Sequence, residues 1–314
     1  MQEFGSVDIR PRELMDIVSR IGEGRGENDL GDLRLTAILR NVRRSPALPL
    51  TLRCHVRSDY AYQNPHSEAA DAPFQVRADL AILQRMGLMP GDTRPAIDLF
   101  ERLLDRVETG EGILWFADGV PREQCPYEAG RAKGIAAIIP PRGVAEMRGA
   151  KALSVEAIRT AETLDIRPHH LMCMTCFHGG RDALEPIDED NLFEAIEVIQ
   201  AHPEIPIRLV CGPCMICPPC PHFEPSSARC LGGKSMALRD ELKDLEVLRR
   251  LGLTYGDVLP ARVLFTRLYD CVPSALDVCG FGDGVERAPE WRVCGGEDVD
   301  ARYALGRSAG LGFL

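Results

Sequence analysis

The chain has 314 residues, 45% apolar and 6% aromatic, enough to bury the core of one large domain or two ordinary ones and too apolar for a disordered or fibrous chain. A formal charge of -10, from 47 acidic against 37 basic residues, argues against a surface that grips nucleic acid or anionic lipid. No run approaches the ~20 apolar residues of a membrane span, and the start at Met1 has neither part of a signal peptide, so neither a membrane nor nucleic acid is expected as a partner and the expected location is cytoplasmic.

In chain order, a short helix is expected after Arg10-Pro11 and another after Arg167-Pro168. Leu48 to Leu52 reads as a strand that delivers Cys54 at its end, and Ile205 to Val210 as one that delivers Cys211. Between the second pair, apolar residues at Leu192, Phe193, Ile196, Val198 and Ile199 predict a helix that ends before His202-Pro203. Helices over about Met236 to Leu251 and Asp257 to Tyr269, separated at Gly252 and Gly256, close the unit. The expected fold class is α/β or α+β, rich in helix.

The chain also resembles itself. Asp8-Ile9-Arg10-Pro11 recurs as Asp165-Ile166-Arg167-Pro168, and the same offset of 157 carries Leu14-Met15, Gly22, Pro46, Pro49 and Cys54 onto Leu171-Met172, Gly179, Pro203, Pro206 and Cys211. After an eight-residue insertion, Ala78 to Leu103 matches Lys243 to Leu268 at 14 of 26 positions, and Asp118-Gly119-Val120 matches Asp283-Gly284-Val285. Tyr127-x-x-Gly130-Arg131 answers Tyr303-x-x-Gly306-Arg307. Two domains from an internal duplication are expected, 1–150 and 151–314.

The cysteines separate them. Ten of the twelve lie from Cys173 to Cys294, whereas the first half holds only Cys54 and Cys125, each read as a small buried hydrophobe. Cys211, Cys214, Cys217 and Cys220 stand at strict three-residue intervals among prolines and a glycine, with Cys173 and Cys176 in a second C-x-x-C and Cys230, Cys271, Cys279 and Cys294 around them. In a reducing compartment such spacings point to metal ligands rather than disulfides. The run is similar to the bacterial ferredoxin pattern, though its last spacing is two residues instead of three, and one or two [4Fe-4S] clusters are expected. Zn2+ in a closed tetrahedral site is the alternative. His169, His170, His178 and His222 are candidate minority ligands or partners of ligands. In the first copy Arg12, Glu13, Asp16, Ser19, Arg106 and Leu114 occupy the positions of His169, His170, Cys173, Cys176, Cys271 and Cys279, so it is expected to hold no cluster.

At Arg167-Pro-His-His-Leu-Met-Cys173, Ile216-Cys-Pro-Pro-Cys-Pro221 and Cys230, the sequence resembles a family of small bacterial and archaeal proteins of unknown function held to bind iron–sulfur clusters. The resemblance covers about residues 165 to 294 and implies Cys173, Cys217, Cys220 and Cys230 as the core ligands, with Cys279 and Cys294 as further carry-overs. It implies a cofactor and no reaction.

Other motifs carry less. Gly232-Gly-Lys-Ser235 lacks the leading glycine of a phosphate-binding loop, since Ala228 stands there, and the glycines at 22–26 and 280–284 read as turns. His55, Asp59 and His66 fall in a polar stretch read as solvated surface. Three functions follow from the expected cofactor: an electron carrier whose acidic surface suits a basic redox partner protein, an enzyme that binds a small-molecule substrate at an open iron between the domains, or a module whose metal only clasps its loops.

Overall fold

The structure is a computed structural model that describes residues 5–26, 28–54, 73–114, 126–180, 184–231, 238–279 and 298–314. Cys125, Cys294, His55, Asp59, His66, the segments 118–120, 232–235 and 283–285, and the turn after Cys279 lie outside the described residues. Two compact units divide the chain, Met1–Pro141 and Arg142–Leu314. Each is a helix-rich mixture of α-helices with a small mixed sheet, and no helix among the described residues is long and apolar enough to cross a membrane.

The first unit opens with β1 (Val7–Ile9), which runs straight into α1 (Pro11–Gly22). Pro11 starts the helix because its fixed φ suits the first turn and its missing N–H had no partner to lose. Glu13 turns back to accept from the Arg10 amide at 2.8 Å. Leu14, Met15, Ile17, Val18 and Ile21 form the buried face. Asp32 caps α2 (Leu33–Arg44) by accepting from the Leu35 amide at 2.9 Å. Then come β2 (Pro49–Leu52), α3 (Pro73–Met86), β3 (Thr93–Pro95), α4 (Ala96–Arg106), α5 (Pro126–Ala132) and α6 (Ile135–Ile138). β2 lies between parallel β1 and antiparallel β3, with Leu50 opposite Val7 and Arg94.

The second unit starts with α7 (Val144–Arg159), followed by β4 (Leu164–Ile166), α8 (Pro168–Gly179), α9 (Leu192–Ala201) and β5 (Pro206–Leu209). The hairpin β6 (Phe223–Glu224) and β7 (Arg229–Cys230) leads to α10 (Leu238–Leu251), β8 (Val258–Pro260), α11 (Ala261–Cys271) and α12 (Val299–Ser308). β5 again lies between a parallel and an antiparallel neighbour, with Ile207 opposite Leu164 and Leu259. The helix expected over Asp257 to Tyr269 is corrected at its start, because Val258–Pro260 is a strand and the helix begins at Ala261. Pro260 disfavours a helical Leu259, and the extended segment pairs with β5.

Several tertiary features occur once in each unit. Tyr127 donates to the Val107 carbonyl at 2.7 Å, and Tyr303 to that of Val272 at 3.0 Å, both rings fully buried. A Cβ added to Gly130 would lie 1.9 Å from the Val18 carbonyl oxygen, and one on Gly306 would lie 2.0 Å from that of Thr175. Glycine is therefore required where α5 crosses α1 and where α12 crosses α8. Arg10 directs its Nε and Nη2 onto Asp79 at 2.9 and 2.6 Å, and Arg167 does the same to Asp244 at the same distances. Both carboxylates are fully buried, so each pair locks a strand–helix junction to a later helix, α3 in the first unit and α10 in the second.

Candidate metal centre

The cysteine loop leaves β5 and is built from successive one-turn hydrogen bonds. Cys217 donates from its amide to the Cys214 carbonyl at 3.0 Å, Cys220 to Cys217 at 2.9 Å, and Phe223 to Cys220 at 3.0 Å. A chain turning with a three-residue repeat returns every third side chain to the same side, which is why the spacing matters. Cys214 Sγ and Cys217 Sγ lie 4.0 Å apart. His170, from the first turn of α8, brings Nδ1 to 3.1 Å from Cys214 Sγ. The ligand atoms of His170, Cys214 and Cys217 all fall within 4.8 Å of one another, the one such group of three among the described residues. A tetrahedral ion with thiolates at about 2.3 Å and an imidazole at about 2.0 Å separates its ligand atoms by about 3.5–3.8 Å, so the group is close to ligating geometry.

The surroundings are suited to a thiolate. Burial would push the Cys214 thiol up, but the Cys217 thiol, the amides of Arg167 and Ile216 and the Arg167 guanidinium outweigh it and bring Cys214 below its ordinary value. Cys217 is driven well above its own, first by that hydrogen bond to Cys214 and then by burial. The two thiols titrate as a coupled pair, with Cys214 the one that gives up its proton more readily. Cys220 is pushed up to about 11 by burial, with the His222 amide opposing, and lies within electrostatic reach of Cys217 and Cys230. The hairpin explains that proximity, since its register sets Cys230 opposite Phe223.

His169 points the other way. Its Nδ1 lies 2.8 Å from Asp244 Oδ1, and because a carboxylate can only accept, that nitrogen carries the proton. Burial lowers His169 to about 4 despite Asp244, so it is neutral at neutral pH. Its ring meets that of His170 edge to face at 4.6 Å. His169 and Arg167 together outweigh burial and hold Asp244 below the ordinary carboxylate range, whereas Asp79, which has no histidine, is raised by burial.

The other expected ligands among the described residues fall outside this group of three. Cys173 follows His170 by one turn of α8 and, with Cys279, acts electrostatically on Lys243 of α10. Cys176 lies a turn further along, 3.9 Å from the Val299 carbonyl. Cys211 is exposed at the mouth of the loop, and Cys271 ends α11, half-buried. His178 lies eight residues beyond His170, about 12 Å along the helix axis. His222 is exposed. In the first unit Cys54 is 2% exposed within the core.

Two residues that sequence reasoning passed over hold the loop in place. Asn191, fully buried, donates from Nδ2 to the Met215 carbonyl at 2.8 Å and from its amide to Ile216 at 3.2 Å. Arg142 donates to the carbonyls of Pro218 and Cys220. Neither has a sequence signal, since neither belongs to the cysteine pattern or to the repeat. Asp244 did have one, because it falls within the matched block opposite Asp79.

No family model matches the chain, and searches of curated proteins and of solved structures return no significant match.

Proposed function

We propose that the second unit is a metal-binding domain whose centre is built on His170, Cys214 and Cys217, with Cys220 and Cys230 as the nearest additional thiols. The observation that carries this reading is the convergence of the three ligand atoms within 4.8 Å. Such a sulfur–nitrogen set selects zinc or iron over hard cations. The 4.0 Å sulfur separation suits neighbouring ligands of one tetrahedral ion, in which case Zn2+ clasps the loop. A second reading, one or two [4Fe-4S] clusters, is favoured by the hairpin that brings Cys230 back toward Cys220 and by the ten cysteines from Cys173 to Cys294. An iron–sulfur centre supplies one-electron transfer, and the net charge of -10 suits a basic redox partner.

We also propose that the two units descend from one domain by duplication. Matched strand registers, the paired arginine–aspartate locks, the glycine crossings and the tyrosine bonds support this.

The test is the iron, zinc and acid-labile sulfide content of protein purified without oxygen, repeated on Cys214→Ser, Cys217→Ser and Cys54→Ser. About one zinc without sulfide supports the single ion, and about four or eight irons with equal sulfide supports clusters. Loss of metal in the first two variants and not in the third is expected. Wild-type protein free of both metals, or unchanged metal in Cys214→Ser and Cys217→Ser, overturns the centre.

A further inference from the structure

The geometry points to Arg142 as a positioning residue of the metal centre, one that sets the Cys217–Cys220 turn by taking two of its carbonyl oxygens on a single guanidinium. The inference rests on the metal reading above and names a residue outside every cysteine and histidine motif.

Arg142 precedes α7, and its side chain is only 8% exposed although it bears a permanent charge. Its Nη1 donates to the Pro218 carbonyl and, at 3.1 Å, to that of Cys220. Its guanidinium carbon lies 5.5 Å from the centre of the Phe223 ring, and Nε donates to Glu146 Oε1 at 2.8 Å. Two of the partners are thus the second and last residues of the turn that joins Cys217 to Cys220. Pro218 and Pro219 have no N–H, so within the turn only the Cys220 amide donates, to the Cys217 carbonyl at 2.9 Å, and the carbonyls of Pro218 and Cys220 are left for Arg142. At the start of the turn the Cys214 amide faces Cys217 Sγ at 3.4 Å, so the position of Cys217 in the turn bears on a thiol of the centre. Nη1 serves both carbonyls while the guanidinium lies by the Phe223 ring and Nε serves Glu146, a fixed set of directions that an ammonium on a flexible stem does not reproduce. Glu146 is 56% exposed and meets the guanidinium at Nε, away from the Nη1 that reaches the turn, and a glutamine there keeps an oxygen to accept the same bond.

The test is a titration of wild type, Arg142→Gln, Arg142→Lys and Glu146→Gln with Co2+ alone, read by its visible absorption and by competition with a chelator, with circular dichroism as the check on folding. Arg142→Gln is expected to bind about 10- to 100-fold more weakly, with displaced thiolate-to-cobalt bands, and Arg142→Lys to remain about tenfold weak because it keeps the charge and loses the fork. Glu146→Gln should match wild type. If Arg142→Gln does not fold, Arg142→Lys decides. Wild-type affinity and bands in a folded Arg142 variant overturn this role and leave the metal centre standing, and so does full rescue by lysine. Wild type that takes up no Co2+ overturns the centre and this role together.

Discussion

Replacing Gly306 by alanine tests the helix crossing that organises the second unit. The new Cβ would stand 2.0 Å from the Thr175 carbonyl oxygen, 2.9 Å from its carbon and 3.1 Å from its Cγ2. Carbon and oxygen meet without strain at about 3.3–3.6 Å, so α12 and α8 must separate by about 1.4 Å. A gap of 0.5–1 Å already forfeits about a quarter to a half of a dispersion contact, and overpacking a tight interface costs about 1–3 kcal/mol, so about 3 kcal/mol is expected here. The Tyr303 bond to Val272 and the buried Val299 sit on the same helix and move with it. At about 2–4 °C per kcal/mol for a unit of this size, its melting temperature should fall by about 6–12 °C in scanning calorimetry. Gly149→Ala in α7 is the control, because nothing lies within 4 Å of its Cβ and removing glycine from a helix interior stabilises by about 0.5–1 kcal/mol. A Gly306→Ala melt within 1 °C of wild type would refute the close approach.

Asp16, which occupies the position of Cys173, is raised to about 6, by burial first, with Arg12 opposing and Glu13 adding. A carboxyl whose folded value exceeds its unfolded 3.8 makes the folded state bind more protons between about pH 4 and 6, so stability falls as pH rises through that window. The ceiling is about 3 kcal/mol at pH 7, and partial solvent contact reduces it to about 1–2 kcal/mol. Asp16→Asn should therefore stabilise the first unit by that amount at pH 7 and by nothing below about pH 4 in urea unfolding. A gain that is the same at every pH would contradict the assignment. Asp244→Ala leaves Arg167 buried without its partner and should cost about 3–5 kcal/mol while weakening metal binding, because the Arg167 amide also faces Cys214. Asp79→Ala should destabilise the first unit and leave bound metal unchanged, as equilibrium unfolding paired with metal analysis will show.

The locks make clear why the two units are alike in backbone and unlike in chemistry. An arginine paired with a buried aspartate stands at the strand–helix junction of both units. Its third partner differs. In the second unit Asp244 also holds His169, and the next residue, His170, reaches the cysteine loop. In the first unit Arg12 and Glu13 stand there, and Glu13 is engaged by Arg34 at 2.8 Å.

By itself the sequence determined the elements and the material of the site. Proline after arginine, apolar periodicity and runs of alternating residues depend on neighbours a few positions away, so α1, α8, α9, β2 and β5 were legible. So was the cysteine loop, because a three-residue repeat is a local property of the chain. What it could not determine was which of ten thiols meet, since that depends on how a loop, a helix and a hairpin far apart in the chain approach one another. Among the described residues the tertiary structure brings Cys214 and Cys217 together with His170 and sends His169 to Asp244. It also converted part of an expected helix into β8, because the edge of β5 offered hydrogen bonds that a helix start at Pro260 could not. Arg142 and Asn191 were invisible for the same reason: their role is to receive carbonyls 24 to 78 positions away, and nothing in their own neighbourhood announces it.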